Sequence, residues 1–448
     1  MRQPVISKNG HSKSDKTFAS AWKWLVPGLG IKRWLVLLFF GITLLALGVA
    51  YVLVNFYREQ AVPPVFYYIT LQFIPRLARA ALVGTLGVGA VVLALVQLSR
   101  SLLAPFVRPG SEPVVETVYR HRQRERGPKV VAIGGGTGLS TLLRGLKDFT
   151  SNITAIVTVA DDGGSSGRLR RELGVLPPGD FRSCIAALAD SEALTTQLFQ
   201  YRFNVGQGLD GHSFGNLFIA AMAAVTGSFE SALAESSRVL AVQGRIVPST
   251  LQDVTLMADL REEAPGQVSR VAGESSITKS GGSIERVYLE PGDVHPYPEA
   301  IRAILDADLI ILGPGSLYTS IMPNLLVRDI AQAVRSSRGI KVYVCNVATQ
   351  HGETDHYSAA DHVTAIERHA GPGLVNVLLA NDRLNVDFRT TGVPSGVGEL
   401  VQPSGSQSAR LVATDLIDVE HPWRHDSHKL ALAVMDVYAQ SGGHAGIN

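Results

Sequence analysis

The feature that most constrains this chain is a run of 23 residues without a charge, Trp34 to Phe56. As a helix rising 1.5 Å per residue it would extend roughly 35 Å, enough to cross a hydrocarbon core of about 30 Å. A second uncharged run of 19 residues follows, Ala80 to Leu98. Trp34 and Tyr51 lie toward the ends of the first run, where amphipathic rings favour the membrane interface. Gly84, Gly87 and Gly89 in the second run are compatible with close helix contact. The first run is too long for the apolar core of a signal peptide, and a second span follows it, so a cleaved leader is disfavoured. The expectation is a transmembrane hairpin over 34–100, with helices at about 34–56 and 80–98, preceded by a basic tail, 1–33.

The flanking charges set its orientation. Arg2, Lys8, Lys13, Lys16, Lys23, Lys32 and Arg33 precede the first run. Arg100, Arg108, Arg120, Arg122, Arg124, Arg126 and Lys129 follow the second. Between the runs stand only Arg58, Arg76 and Arg79. Basic flanks stay in the cytoplasm, so the chain is expected to enter and leave from that side as a multi-pass membrane protein. Glu59 and the aromatic stretch Phe66, Tyr67 and Tyr68 would then form an outer loop. Residues 101–127, with Pro105, Pro109, Pro113 and the run YRHRQRERG, read as a linker.

The remaining residues, 128–448, read as one soluble domain. Apolar runs at 129–135, 153–161, 284–290, 309–315, 341–347, 374–381 and 409–416 alternate with helical patterns at 137–148, 180–190, 215–226, 297–305 and 358–369. Continuous rather than alternating apolar strands indicate burial on both faces. The expected fold class is α/β, a Rossmann-like doubly wound and mostly parallel sheet. Residues 246–290, with IVPST, VTLMADL and QVSRVAG separated by glycine and serine, read as a β-rich insertion. The net charge of +2 gives no footprint for nucleic acid. Cys184 and Cys345, the only cysteines, have no metal or redox spacing and suit a reducing compartment.

Several loops follow strands and open helices, where backbone amides and the helix terminus favour anions. Gly134, Gly135, Gly136, Thr137 and Gly138 form the first. It lacks the Lys-Ser/Thr end of a Walker loop, and Leu139 stands where a dinucleotide fingerprint has its third glycine. Asp161, Asp162, Gly163, Gly164, Ser165, Ser166, Gly167 and Arg168 form the second. Its carboxylates suit a metal or ribose hydroxyls, and Arg168 suits a phosphate. Gly163 to Gly167 also matches GxSxG, a weak signal in a run of glycine and serine. Asp180 in Pro177–Arg182 can cap a helix or line the site rim, as can Arg182. His212, Ser213 and Asn216 open another helix, where capping and anion contact compete. Gly313, Gly315, Ser316 and Thr319 form a second glycine-and-hydroxyl loop, and Asn346 follows the next strand. His351, His356, His362 and His369 do not have the spacing of a zinc helix.

Taken in order, the strings IGGGTGLSTLLRGLK, TAIVTVADDGGSSGRLR, PPGDFR, GHSFGNL, GESSI, ILGPGSLYTSIMPNLLV, NVATQHGETDHY and RHDSHKLA resemble the YvcK-type gluconeogenesis-factor family, related to the CofD-like 2-phospho-L-lactate transferases. The resemblance runs from Lys129 to Ala431, leaving the hairpin as an addition to the typical member. Ser183 stands where asparagine is common and Ala348 where methionine is common. The resemblance implies a domain that binds a UDP-sugar such as UDP-N-acetylglucosamine through 134–138, 161–168, 212–216 and 313–320. It implies a regulatory role linking carbon metabolism to peptidoglycan synthesis and cell shape, with a protein partner it does not identify. No further cofactor is required by that reading. The alternative it carries is a transferase acting on a nucleotide-activated donor, with Asp161 and Asp162 holding Mg2+. Homo-oligomerisation stays open.

Overall fold

The computed structural model describes residues 31–59, 68, 71, 73–103, 122–190, 193–261, 268–280, 282–386, 393–394 and 396–442. Its contacts divide the chain into two compact units, Met1–Arg122 and Gln123–Asn448. The basic tail to residue 30, Phe66, Tyr67 and the linker residues 104–121 lie outside the described residues.

The first unit holds the helices Ile31–Glu59 and Arg76–Leu103, which enclose the two uncharged runs. Within the second, Leu77–Gln97 has the length and apolar composition to cross a membrane, and none of it is buried. In the first helix the corresponding described apolar stretch is shorter, Leu38–Ala50, so one helix rather than two meets that criterion among the described residues. The hydroxyls of Thr43 and Thr85 each donate back to a carbonyl four residues earlier, Phe39 at 2.8 Å and Ala81 at 2.8 Å. This lets an apolar helix carry a threonine without an unpaired polar group.

The second unit is built on strands β1 (Val130–Gly134), β2 (Ile153–Val157) and β3 (Arg245–Pro248), then, further along the chain, β4 (Thr255–Arg261), β5 (Val268–Ala272), β6 (Ser283–Glu290), β7 (Leu309–Leu312), β8 (Ile340–Val344), β9 (Ala348–Gln350), β10 (Val377–Asn381), β11 (Val397–Leu400) and β12 (Arg410–Thr414). Seven of them form one sheet in the order β12-β10-β8-β7-β1-β2-β3, every pair parallel. Every residue of β1, β2, β7 and β10 is buried, as their unbroken apolar sequences require. The chain winds outward from β1 to β3, returns to β7 on the other side of β1, and winds outward again. The order therefore reverses between β1 and β7.

The expected β-rich insertion is present as a separate antiparallel sheet, β5-β4-β6, which ends with the run 284–290. One boundary is corrected: IVPST, assigned to that insertion, supplies β3 and extends the parallel sheet. It is a short apolar run, and periodicity does not say which sheet a strand joins. The glycine helix Gly136–Leu146 packs on the C-terminal helix Ser427–Gln440 so closely that a Cβ at Gly145 would collide with the Ser427 carbonyl.

Candidate functional site

A cleft of 420 Å³ opens at the carboxyl ends of β1 and β7, where the strand order reverses. Open α/β sheets bind ligands at this point, because the loops on either side turn to opposite faces and leave a crevice. Gly135, Gly136, Thr137 and Gly138 line one side, and Gly315, Ser316, Thr319 and Ser320 the other. The two loops nearly touch. A Cβ at Gly138 would lie 2.5 Å from the Pro314 carbonyl oxygen and 2.9 Å from the Gly315 Cα. The helix Gly136–Leu146 has no side-chain cap, so its first amides are left for a ligand or for neighbouring side chains.

The second loop is held from behind. The Asn346 side-chain Oδ1 accepts from the Gly315 amide at 3.2 Å, and Gln350 donates to Ser316 Oγ at 2.8 Å. Glu353, buried under the loop, accepts from Thr319 Oγ1 at 3.0 Å and from the Tyr318 amide at 3.3 Å. Burial pushes the Glu353 carboxyl up to about 7, and these hydrogen bonds oppose that rise. Asn324, also buried, donates to the Gly134 carbonyl at 3.2 Å and the Ser320 carbonyl at 2.8 Å, tying the two glycine loops together.

Three carboxyl groups share the wall: Asp161, Asp180 and Glu274. Burial, then the Asp161 charge, raises Asp180 to about 7, while a hydrogen bond from the Gly136 amide opposes the rise. Burial, then the charges of Asp161 and Asp180, raises Glu274 to about 8. Burial also raises Asp161. The wall therefore carries fewer charges at neutral pH than it has acids, and Asp180 and Glu274 can donate as well as accept.

The sequence-derived residues separate into two groups. Those lining the cleft are Gly135, Gly136, Thr137, Gly138, Asp161, Gly315, Ser316, Thr319 and Asn346. Gly134 ends β1 and Gly313 directly follows β7. The rest lie apart from the lining. Asp162 accepts from the Ser275 amide at 2.9 Å, so Asp161 and Asp162 do not converge on one ion. Among the described residues no group of three or more His, Cys, Asp or Glu side chains has metal-binding geometry. Gly163 caps the helix Gly164–Leu173, which begins inside the expected loop. Ser166 accepts from the Gly179 amide at 3.1 Å, and Arg168 donates to the Asp210 carbonyl at 2.7 Å.

Ser165, His212 and Asn216 form a buried network. Asn216 donates to Ser165 Oγ at 3.0 Å, and Ser165 Oγ lies 2.9 Å from His212 Nδ1. Burial, then the Arg168 charge, holds His212 below its usual range, which favours the neutral imidazole. Ser165 is 4% exposed in the first turn of a helix and away from the cleft, which does not suit the nucleophile of a GxSxG elbow. Ser213 caps its helix through the Asn216 amide. His351 and His356 pair with Asp355 and Glu399, while His362 and His369 bond to their own helix carbonyls.

Residues from distant parts of the chain complete the lining: Thr158, Glu274, Gln350, Pro394, Trp423 and His425. His425 is buried, faces the Cys345 carbonyl at 3.1 Å, and is lowered by burial to about 4. Trp423 brings a large aromatic surface. The sequence signal for this segment was its dense string WRHDSHK, which has no spacing of its own to interpret.

The CofD family profile, described as 2-phospho-L-lactate transferase, matches residues 130–439. A protein from Bacillus subtilis named "Gluconeogenesis factor" is 47% identical over 326 residues, 69% of this chain and 98% of its own. A relative from Clostridium acetobutylicum is 43% identical over 430 residues, 92% of this chain and 91% of its own. A match of that breadth leaves less than a tenth of the chain outside, so it reaches into the first unit, Met1–Arg122. The N-terminal region is thus an addition relative to the shorter relatives and is shared in part with longer ones. A crystal structure of a member of the UPF0052 family from Bacillus halodurans superposes with a TM-score of 0.65 at 44% identity, covering 69% of this chain and 99% of that one.

Proposed function

This chain belongs to the CofD family, in its gluconeogenesis-factor branch, and from that premise we propose that the switch-point cleft binds a nucleotide sugar, UDP-N-acetylglucosamine. The carrying observation is that both glycine loops open on one cleft at the strand-order reversal. Uncapped amides of Gly136–Leu146 suit a diphosphate. Trp423 offers a flat surface for a base, and Asn346, Thr349 and Gln350 offer polar groups for a sugar. The protein acts as a regulator, sensing the ligand and passing the signal to a protein partner, and so links carbon metabolism to cell-wall synthesis and cell shape. Saturating UDP-N-acetylglucosamine is expected to raise the Tm of the full chain in detergent, since a ligand at a hundred times its Kd stabilises by about 2.7 kcal/mol. An unchanged Tm at millimolar ligand sinks the reading.

One observation favours a second reading as a transferase. Asp180 and Glu274 face the glycine loop with raised proton affinity, the property required of a general acid. Release of a nucleoside monophosphate from a nucleotide-activated phospho-lactate donor, in the presence of a deazaflavin acceptor, would establish turnover.

The N-terminal helices hold this domain on the cytoplasmic face of a membrane. A topology reporter inserted at residue 62 is expected on the outer side. A cytoplasmic signal there refutes the hairpin.

A further inference from the structure

A second cleft, of 790 Å³, lies between the antiparallel sheet and two helices, and none of its lining residues lines the first cleft. One wall is a cross-strand row. Asp259 on β4 is flanked by Arg270 on β5 and Arg286 on β6, so all three project from one face of the sheet. Both guanidinium carbons lie over the ring of Tyr288, at 5.8 Å and 5.6 Å from its centre. The opposite wall carries Arg328 and Arg335 from the helix Arg328–Ser336 and His369 from the end of the helix Ala359–Ala370.

The charges do not balance. Four arginines face one carboxylate, and Asp259 is already paired with Arg270 at 3.4 Å. Among the described residues, Arg286, Arg328 and Arg335 have no carboxylate within ion-pair distance. Burial first, and to a smaller extent the charges of Arg368 and Arg286, hold the His369 imidazole below its usual range against the hydrogen bond to the Ala365 carbonyl. Arg335 is held in place by donating to Gln332 Oε1 at 2.7 Å and to the Ala370 carbonyl, which fixes its charge at the cleft wall without neutralising it. Guanidinium groups clustered around a cavity match oxyanions, which they bind through paired N–H donors.

We propose that this cleft is a second ligand site, taking a small phosphorylated molecule that carries at least two negative charges. Inorganic phosphate alone is too small for a cavity of this size, and a bis-anionic molecule would satisfy arginines on both walls at once. The site is independent of the nucleotide-sugar reading. It shares a structural element with the first cleft: the segment Leu317–Leu325 places Thr319 in one lining and Leu325 in the other.

Inorganic pyrophosphate is the probe, titrated calorimetrically into the full chain in detergent with UDP-N-acetylglucosamine present in excess, so that the first cleft does not contribute to the isotherm. Arg286→Gln/Arg328→Gln alters two exposed side chains outside the first cleft, so folding is expected to be unaffected. Pyrophosphate affinity at this site should fall at least tenfold in the double variant, and Arg286→Lys/Arg328→Lys should recover part of it. UDP-N-acetylglucosamine binding should be unchanged, which separates failure here from failure at the first cleft. Identical pyrophosphate isotherms for the native chain and the Gln variant overturn the proposal. Binding no stronger than that of chloride at equal ionic strength overturns it too. So does a Gln variant that changes oligomeric state while binding pyrophosphate normally, because the cleft would then be a contact between copies.

Discussion

Gly138→Ala is expected to lower the stability of the second unit by about 1–3 kcal/mol and to weaken nucleotide-sugar binding at least tenfold. The reason is the closeness of two loops that are far apart in sequence. The added methyl would meet the Pro314 carbonyl oxygen at 2.5 Å and the carbonyl carbon at 2.7 Å. Neither is the end of a flexible side chain, so the β7 loop must move as a body. That loop is fastened by Asn346, Gln350 and Glu353 and cannot yield without losing hydrogen bonds. Its displacement shifts Ser316 and Thr319, which line the same cleft as Gly135, Gly136 and Gly138. Gly405→Ala is the control, since a Cβ there meets nothing within 4 Å and is expected to leave both quantities unchanged. Chemical denaturation and calorimetric titration of the two variants decide the matter. Equal values for Gly138→Ala and the native chain would show that the loops are not in contact.

Asp180→Asn is expected to make the domain more stable at pH 8 while leaving it unchanged near pH 4. Asp180 is raised from its ordinary range to about 7, by burial first and the Asp161 charge second. Between pH 4 and 7 the folded chain therefore holds a proton that the unfolded chain has released. Stability must fall as pH rises through that window and level off above it. Asparagine removes the ionisation and keeps an oxygen for the Gly136 amide. The gain at pH 8 is on the order of 1–2 kcal/mol, reduced from the full value because the cleft is open to water. His362 and His425, lowered by burial, act in the opposite sense in acid but are common to both proteins. The difference in Tm between variant and native chain, followed from pH 4 to 8, reports the Asp180 ionisation together with the relief its removal gives Glu274. A difference that does not grow with pH excludes the raised carboxyl. The same substitution bears on binding. Asp180 lies against Gly135, where a phosphate would approach, so removing its charge should help an anionic ligand most at high pH.

Much of the fold was legible because burial leaves a one-dimensional trace. The runs VVAIG, ITAIV, LIIL and VLLAN are apolar throughout, and in the structure they are buried throughout. Gly135, Gly136, Gly138 and Gly315 were legible as residues of the cleft lining because a loop between strand and helix has few other reasons to hold so many. Asp162, Ser165, Arg168, His212 and Asn216 belong to equally dense motifs, yet they do not line the cleft between the two glycine loops. They fasten the neighbouring helices to one another. A dense motif marks residues with demanding surroundings, and the demand of a buried polar network looks the same in sequence as that of a ligand.

The long uncharged runs at the N-terminus, the parallel character of the main strands and the placement of glycine after β1 and β7 were determined by the sequence alone. Each is a local property, set by hydropathy and backbone freedom over a few residues. Which sheet each short strand joins, the meeting of Gly138 with Pro314, the raised Asp180 and Glu274, and the facing arginines of β5, β6 and the helix Arg328–Ser336 were decided only by tertiary structure. These depend on distances between residues remote in the chain, and on how far neighbouring atoms exclude water from them.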